Sequence, residues 1–272
     1  MIWMQRWISL LLVVISLFAL PVPTWAATLE LTVSAKKSLD VTAERAGHPT
    51  GMRIHSLYNE FLLAQQAETH VERATTTLRT ANTTLEKNVR RRISAIDHEQ
   101  IQALEQQVER TKTRYQPLFD RYKALNLQIK SARLIRNTDL NKMLRTQADL
   151  MQMSVQIARH DIRMKEQPLQ AAKAEQSRKI TELRRILEGL EPLRAQIKSR
   201  KDAVSAANTR KSSAWKRLNA HVKETDASGT IIASSDVLHA SQQIVEHRRE
   251  IERIEQRIST LLRDVSRRVD VS

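Results

Sequence analysis

Cysteine is absent. That excludes disulfides, thiolate metal ligands, a cysteine nucleophile and a lipid-anchoring cysteine. Glycine occurs only 4 times and proline 6 times in 272 residues, which is too few turn formers for a sheet fold. Aromatics make up 4% of the chain, and Trp3, Trp7 and Trp25 sit near the N-terminus, leaving Trp215 alone beyond them. A thick globular core normally holds more aromatic bulk. Thin seams of Ala, Leu, Ile and Val between helices fit this composition better.

Catalytic signatures are missing as well. There is no Gly-rich phosphate loop, no nucleophile elbow and no zinc-type histidine pair at i, i+4 with a carboxylate. His160 and Asp161 are adjacent and so face different ways on a helix. The glutamates fall largely where i, i+4 partners on a helix face account for them. The sequence therefore predicts no catalytic residue, no metal ligand and no cofactor. Base-reading motifs are absent, and aromatics do not interleave with the basic residues, so no specific nucleic-acid partner is expected.

What is present begins with a leader. Arg6 precedes an uncharged run, Trp7 to Leu20, which Pro21 and Pro23 end. Ala26 and Thr24 place small residues at −1 and −3 of a cleavage point before Ala27. The run falls short of the roughly 20 residues a membrane span needs. Residues 1–26 are thus expected to be a secretory signal peptide, the mature chain to be exported (secreted, cell-wall associated or periplasmic), and no transmembrane span to remain after cleavage.

Residues 27–51 read as a flexible leader. Leu29, Leu31 and Val33 alternate in a strand-like way, and Gly47-His48-Pro49-Thr50-Gly51 is a cluster of helix breakers. From Met52 a seven-residue period sets in: Leu57, Ala64, Val71, Leu78 and Leu85, with Ala67, Ala74 and Ala81 between them. A second series, Ile101, Val108, Tyr115, Tyr122 and Ile129, is out of phase with the first. Val89, Ile93 and Ile96 bridge the two, which a stutter in one continuous helix would explain. A capping box at Asp97 and Gln100 is the competing reading. Arg136-Asn137-Thr138-Asp139 makes a tight turn, because Asn and Asp side chains bond local backbone N–H groups.

The longest seam follows: Val155, Ile162, Leu169, Gln176, Leu183, Leu190, Ile197, Val204, Lys211 and Leu218. Pro117 and Pro168 lie off the seams and read as kinks, whereas Gly189 with Pro192 resembles a true helix break. The polar seam members Gln176 and Lys211 are candidates for setting register. After Gly229, Ser235 and Asp236 offer a cap for a last helix with Val237, Ile244, Ile251, Ile258 and Val265 in step.

These readings combine into an all-α fold: an elongated antiparallel coiled-coil helical hairpin with a third C-terminal helix packing back. Residues 52–225 form the hairpin with its turn near 137–139, 226–235 a loop, and 236–270 the last helix. Each arm would span roughly 130 Å. Residues facing one another should sum to about 275, which sets Trp215 near Phe61 as a core anchor.

The formal net charge is +15 with a pI near 10.4, so polyanions are the expected attractors. Residues 173–223 carry 14 basic against 5 acidic residues, while residues 236–272 carry seven of each. Candidate polyanion contacts are Arg90, Arg91, Arg92, Arg184, Arg185, Lys198, Arg200, Lys201, Arg210 and Lys211. The hairpin register places Arg90–Arg92 beside Arg184 and Arg185. The functional expectation is a non-enzymatic exported spacer or scaffold of the cell envelope that contacts an anionic envelope polymer. The alternative is a coiled-coil regulator or adaptor that docks an envelope enzyme or complex. Partners would come through the coiled-coil seams, by self-association or by binding another protein. A membrane-surface role is weaker, because interfacial helices want more Trp and Phe.

Overall fold

The computed structural model describes residues 29–271, and the expected signal peptide lies outside them. Among the described residues there is helix and no strand. The order is α1 (Val33–Arg45), α2 (His48–Ser94), α3 (His98–Leu134), α4 (Thr138–Glu188), α5 (Leu190–Lys223) and α6 (Ala227–Val271). This is the all-α antiparallel hairpin with a C-terminal helix packed back. The chain divides into two compact units, one of residues 29–71 and 202–247, the other of 72–201 and 248–271.

In the first unit the core gathers Leu39, Ala43, Ile54, Phe61, Ala214, Leu218, Val222, Ala233 and Val237. The Trp215 ring centre lies 5.3 Å from that of Phe61, and the Tyr58 ring centre 6.4 Å from that of Phe61. Trp215 is therefore the core anchor that the register predicts.

The leader expectation needs correction here. Residues 33–45 form α1, whose N-cap Thr32 accepts a hydrogen bond from the Ala35 N–H at 3.2 Å. Its inward face is only Leu39, Thr42 and Ala43, too sparse a stripe to signal a helix. Val33, part of the apparent strand pattern, is 79% exposed. Of the breaker cluster, only Gly47 is in a turn, at φ +80°. Gly51 lies inside α2, where a Cβ would come within 2.5 Å of the Ala43 carbonyl oxygen. It is a glycine of close helix approach, not of chain reversal.

The expected loop at 226–235 is also helical. Asp226 caps α6 by accepting from the Gly229 N–H at 3.0 Å, and its other oxygen meets His221 Nδ1 at 2.9 Å. The cap thus lies nine residues ahead of the one at Ser235 and Asp236. A Cβ on Gly229 would sit 2.2 Å from His221 Nδ1, so this glycine makes room for the cap.

In the second unit α3 and α4 form the hairpin. Leu125, Ala132, Leu144 and Ala148 pack near the turn, and Ile101, Val108 and Leu169 farther along. Lys112 with Glu166 and Lys173 with Glu105 tie the two helices at 2.7 Å each. Asn137 caps α4 by accepting from the Leu140 N–H at 3.0 Å. Both helices run through their prolines, Pro117 and Pro168.

The break expected at Gly189 is present but slight, and the continuity expected near Asp97 reverses. Gly189 interrupts the helix for a single residue and keeps right-handed helical angles. A Cβ there would lie 3.2 Å from Leu261 Cδ1 on α6, so close packing again accounts for the glycine. The real break is at residues 95–97, where Asp97 adopts φ 54° and makes no side-chain cap. The α4 helix holds this break together. Gln176 donates to the Ile96 carbonyl at 2.7 Å, and Lys179 pairs with Asp97 at 2.9 Å. An unfavourable backbone angle is stabilised by tertiary contacts that no local pattern reveals.

On α2 the most buried positions are not all apolar. Gln65, Glu68, Thr75 and Asn82 are buried, while Ala64, Ala67, Ala74 and Leu78 are only half-buried. A helix covered by two neighbours buries a wide face, and its centre line here is partly polar. Each polar group then needs a partner. Asn82 donates to the Glu255 carbonyl at 2.8 Å and to its carboxylate at 2.9 Å. Lys211 donates to Glu68 at 2.9 Å.

Candidate functional site

The ten basic residues singled out in the sequence meet three different fates. Lys211 and Arg210 belong to the first unit. Lys211 is 6% exposed and Glu68 4%, and they form a buried ion pair. Lys211 is thus no surface contact; it is a core residue that fits the register role of a polar seam position. Arg210 is exposed and donates to the Gln243 side chain at 2.9 Å.

In the second unit, α6 supplies counter-ions. Arg200 pairs with Glu250 at 2.6 Å, and Arg92 reaches Asp270 and Ser266. Arg90 pairs with Glu86 on its own helix at 2.8 Å. These three cations are largely neutralised within the chain. The pairs Glu86–Arg194 and Asp97–Lys179 bracket Arg90–Arg92 and Arg184–Arg185 on the facing helices, as the register requires.

Among the described residues Arg91, Arg184, Arg185, Lys198 and Lys201 have no ion-pair partner, and all five are exposed. Arg91 only donates to Asn88 at 3.0 Å. Lys198 and Lys201 line a groove of about 340 Å³ together with Arg79, Arg194, Asn82, Glu86 and Glu255. Four cations thus face two carboxylates. Arg79 is held by Glu255 at 3.3 Å, and Arg194 by Glu86.

The electrostatics of the groove follow from these neighbours. Partial desolvation of the Lys201 ammonium and the nearby Arg79 cation hold its pKa below the usual lysine value, with Glu255 opposing. Burial raises the pKa of Glu86, but hydrogen bonds and charge from Arg194 and Arg90 outweigh it, so the carboxyl ends below its usual range. Arg194 is correspondingly raised, first by its hydrogen bond to Glu86. A lysine crowded by an arginine gains most from an added anion. Sequence reasoning found Lys198 and Lys201 but missed Arg79, which lies outside the basic run of 173–223, and Arg194, which stands in it with no basic residue beside it.

Among the described residues no group of His, Asp or Glu gathers to hold a metal ion, and no helix is long and apolar enough to cross a membrane. The Ile-rich seam of α6 is occupied: Val237, Ile244, Ile251, Ile254, Ile258, Leu262 and Val265 are all buried. Compared with known proteins, the chain matches no family model, no curated protein and no solved structure.

Proposed function

We propose that this is a non-enzymatic exported protein of the cell envelope, a helical spacer or scaffold whose second unit contacts an anionic polymer. One observation carries the reading: among the described residues Lys198 and Lys201 have no ion-pair partner in a groove where cations outnumber carboxylates, and neither have Arg184 and Arg185 on the same unit. Repeating phosphates or carboxylates would supply the missing counter-charge without any shape-specific pocket. Export rests on the leader read from the sequence. N-terminal sequencing of the protein recovered from the envelope or medium checks it, with Ala27 expected as the first residue.

The contact is tested by calorimetric titration with long-chain polyphosphate. Four lysine and arginine contacts to a flexible polyanion give a log–log salt slope near −3, or about a 50-fold loss of affinity for a fourfold rise in salt. Arg184→Glu, Arg185→Glu, Lys198→Glu and Lys201→Glu together should abolish binding. Affinity that ignores salt, or that survives the four reversals, refutes the polyanion role.

A further inference from the structure

The α4 helix carries a second apolar stripe that nothing among the described residues covers. Met143, Leu150, Ile157 and Met164 recur every seven residues, and Met153 falls between the middle two. They are exposed by 62%, 76%, 61%, 49% and 70% respectively. The inward seam of the same helix, Leu144, Ala148, Val155, Ala158 and Leu169, is already used against α3. Scattered exposed apolar residues need no explanation, but a continuous heptad stripe does.

We propose that this stripe joins two copies of the chain through antiparallel α4–α4 packing. Three observations select a second copy. The first is area. The five side chains offer roughly 600 Å² per copy, so a pair removes roughly 1,200 Å², the lower bound of a standard stable interface. Its three methionines are also a residue type enriched at interfaces.

The second is charge. Along one flank run Lys142, Asp149, Gln156 and Arg163, again seven apart. Asp149 and Arg163 are exposed and make no ion pair among the described residues. They lie symmetrically about Gln156. An antiparallel copy centred there brings Asp149 of each chain to Arg163 of the other, and Gln156 to its own counterpart. The third is layer packing in that same register. Ile157 meets Met153 of the other copy, Leu150 meets His160, and Met164 meets Thr146. Sliding by one heptad instead sets Lys142 beside Arg163, two cations together, so the charges choose one alignment. A lipid surface is disfavoured, because the flanks mix both signs: Lys142, Arg163 and Lys165 against Asp149 and Asp161.

Sedimentation velocity on the full chain tests this, with the mass read as a function of concentration. The expected result is a species of twice the chain mass that Leu150→Glu with Ile157→Glu converts to monomer while circular dichroism is unchanged. Asp149→Arg alone and Arg163→Asp alone should each weaken the dimer at least tenfold, and the double reversal should restore it. Because the chain has no cysteine, Gln156→Cys gives a clean proximity readout. Oxidation should link two copies, whereas Arg145→Cys, on another face, should not. A chain that stays monomeric at every concentration overturns the proposal. So does a dimer indifferent to the Leu150 and Ile157 changes. Flotation of a monomeric chain with anionic vesicles would then assign the stripe to a lipid surface.

Discussion

Replacing Lys211 by Met should be among the most damaging single changes in the first unit. Lys211 and Glu68 are 6% and 4% exposed, and their charged atoms lie 2.9 Å apart. Removing the ammonium leaves a carboxylate in the core with its main counter-charge gone. Breaking one side of a buried pair costs about 3–5 kcal/mol, a large share of the roughly 5–15 kcal/mol by which a domain is stable. With a urea slope of about 2 kcal/mol per molar, the midpoint should fall by about 2 M. Trp215 is the only tryptophan after residue 26 and stacks near Phe61 in the same unit, so its fluorescence reports the transition directly in a chain begun at Ala27. Arg210→Ala, the exposed neighbour, should shift stability by no more than about 0.5 kcal/mol. Glu68→Leu combined with Lys211→Met should recover most or all of the loss, since a well-packed apolar pair can match a buried ionic one. A Lys211→Met effect below about 1 kcal/mol, or a double variant no better than the single, would refute the claim that this lysine is a buried core partner.

Other perturbations test other parts of the structure. Gly51→Ala drives a methyl against the Ala43 carbonyl; the expected loss is about 1–3 kcal/mol, the range for overpacking, and hydrogen exchange should show faster opening of residues 33–45. Asn137→Ala removes the α4 cap and should cost about 1 kcal/mol, read as a lowered thermal midpoint. Glu86 has a depressed pKa, so the stability it adds is complete above its usual value of 4.5 and fades as the pH falls through its lower folded value. Glu86→Gln should accordingly flatten the acid side of the stability–pH curve below about pH 4.5 while adding no new loss there. Glu250→Gln with Asp270→Asn frees Arg200 and Arg92 and should tighten polyphosphate binding and steepen its salt slope by about 1.4.

Much of the fold is legible in the sequence because the hydrophobic period fixes which residues face each other. Phe61 with Trp215, Asp97 with Lys179 and Tyr115 with Asp161 all keep the expected sum of about 275. The turn at Asn137 is legible because its side chain acts locally. What escaped notice depends on distant partners. α1 has three inward residues and gains its burial from α2 and its neighbours. The break at Asp97 has no glycine or proline, and its support comes from residues 176 and 179. One clue to it was present: Gln176 interrupts a largely apolar seam where the facing helix fails, and its amide satisfies the carbonyl exposed there. The polar centre of α2 was hidden for a related reason. A search for apolar repeats finds Ala64, Ala67 and Ala74 on the flanks and passes over Glu68 and Asn82 between them.

The candidate site was only half legible, because counting charges along a sequence ignores where the third helix falls. α6 is neutral in sum, yet its carboxylates are not idle. Glu250, Glu255 and Asp270 engage Arg200, Arg79 and Arg92 in the second unit. The helix with no net charge thus neutralises part of the basic run, and Glu86 neutralises another part. Cations that form no pair with these acids keep more of their attraction for an outside anion. That is why, in the second unit, the basic surface narrows from eight candidates to Arg91, Arg184, Arg185, Lys198 and Lys201. Within the groove the same logic sharpens the distinction: Arg79 and Arg194 have carboxylates to hold them, so an incoming phosphate gains most at the two lysines that have none.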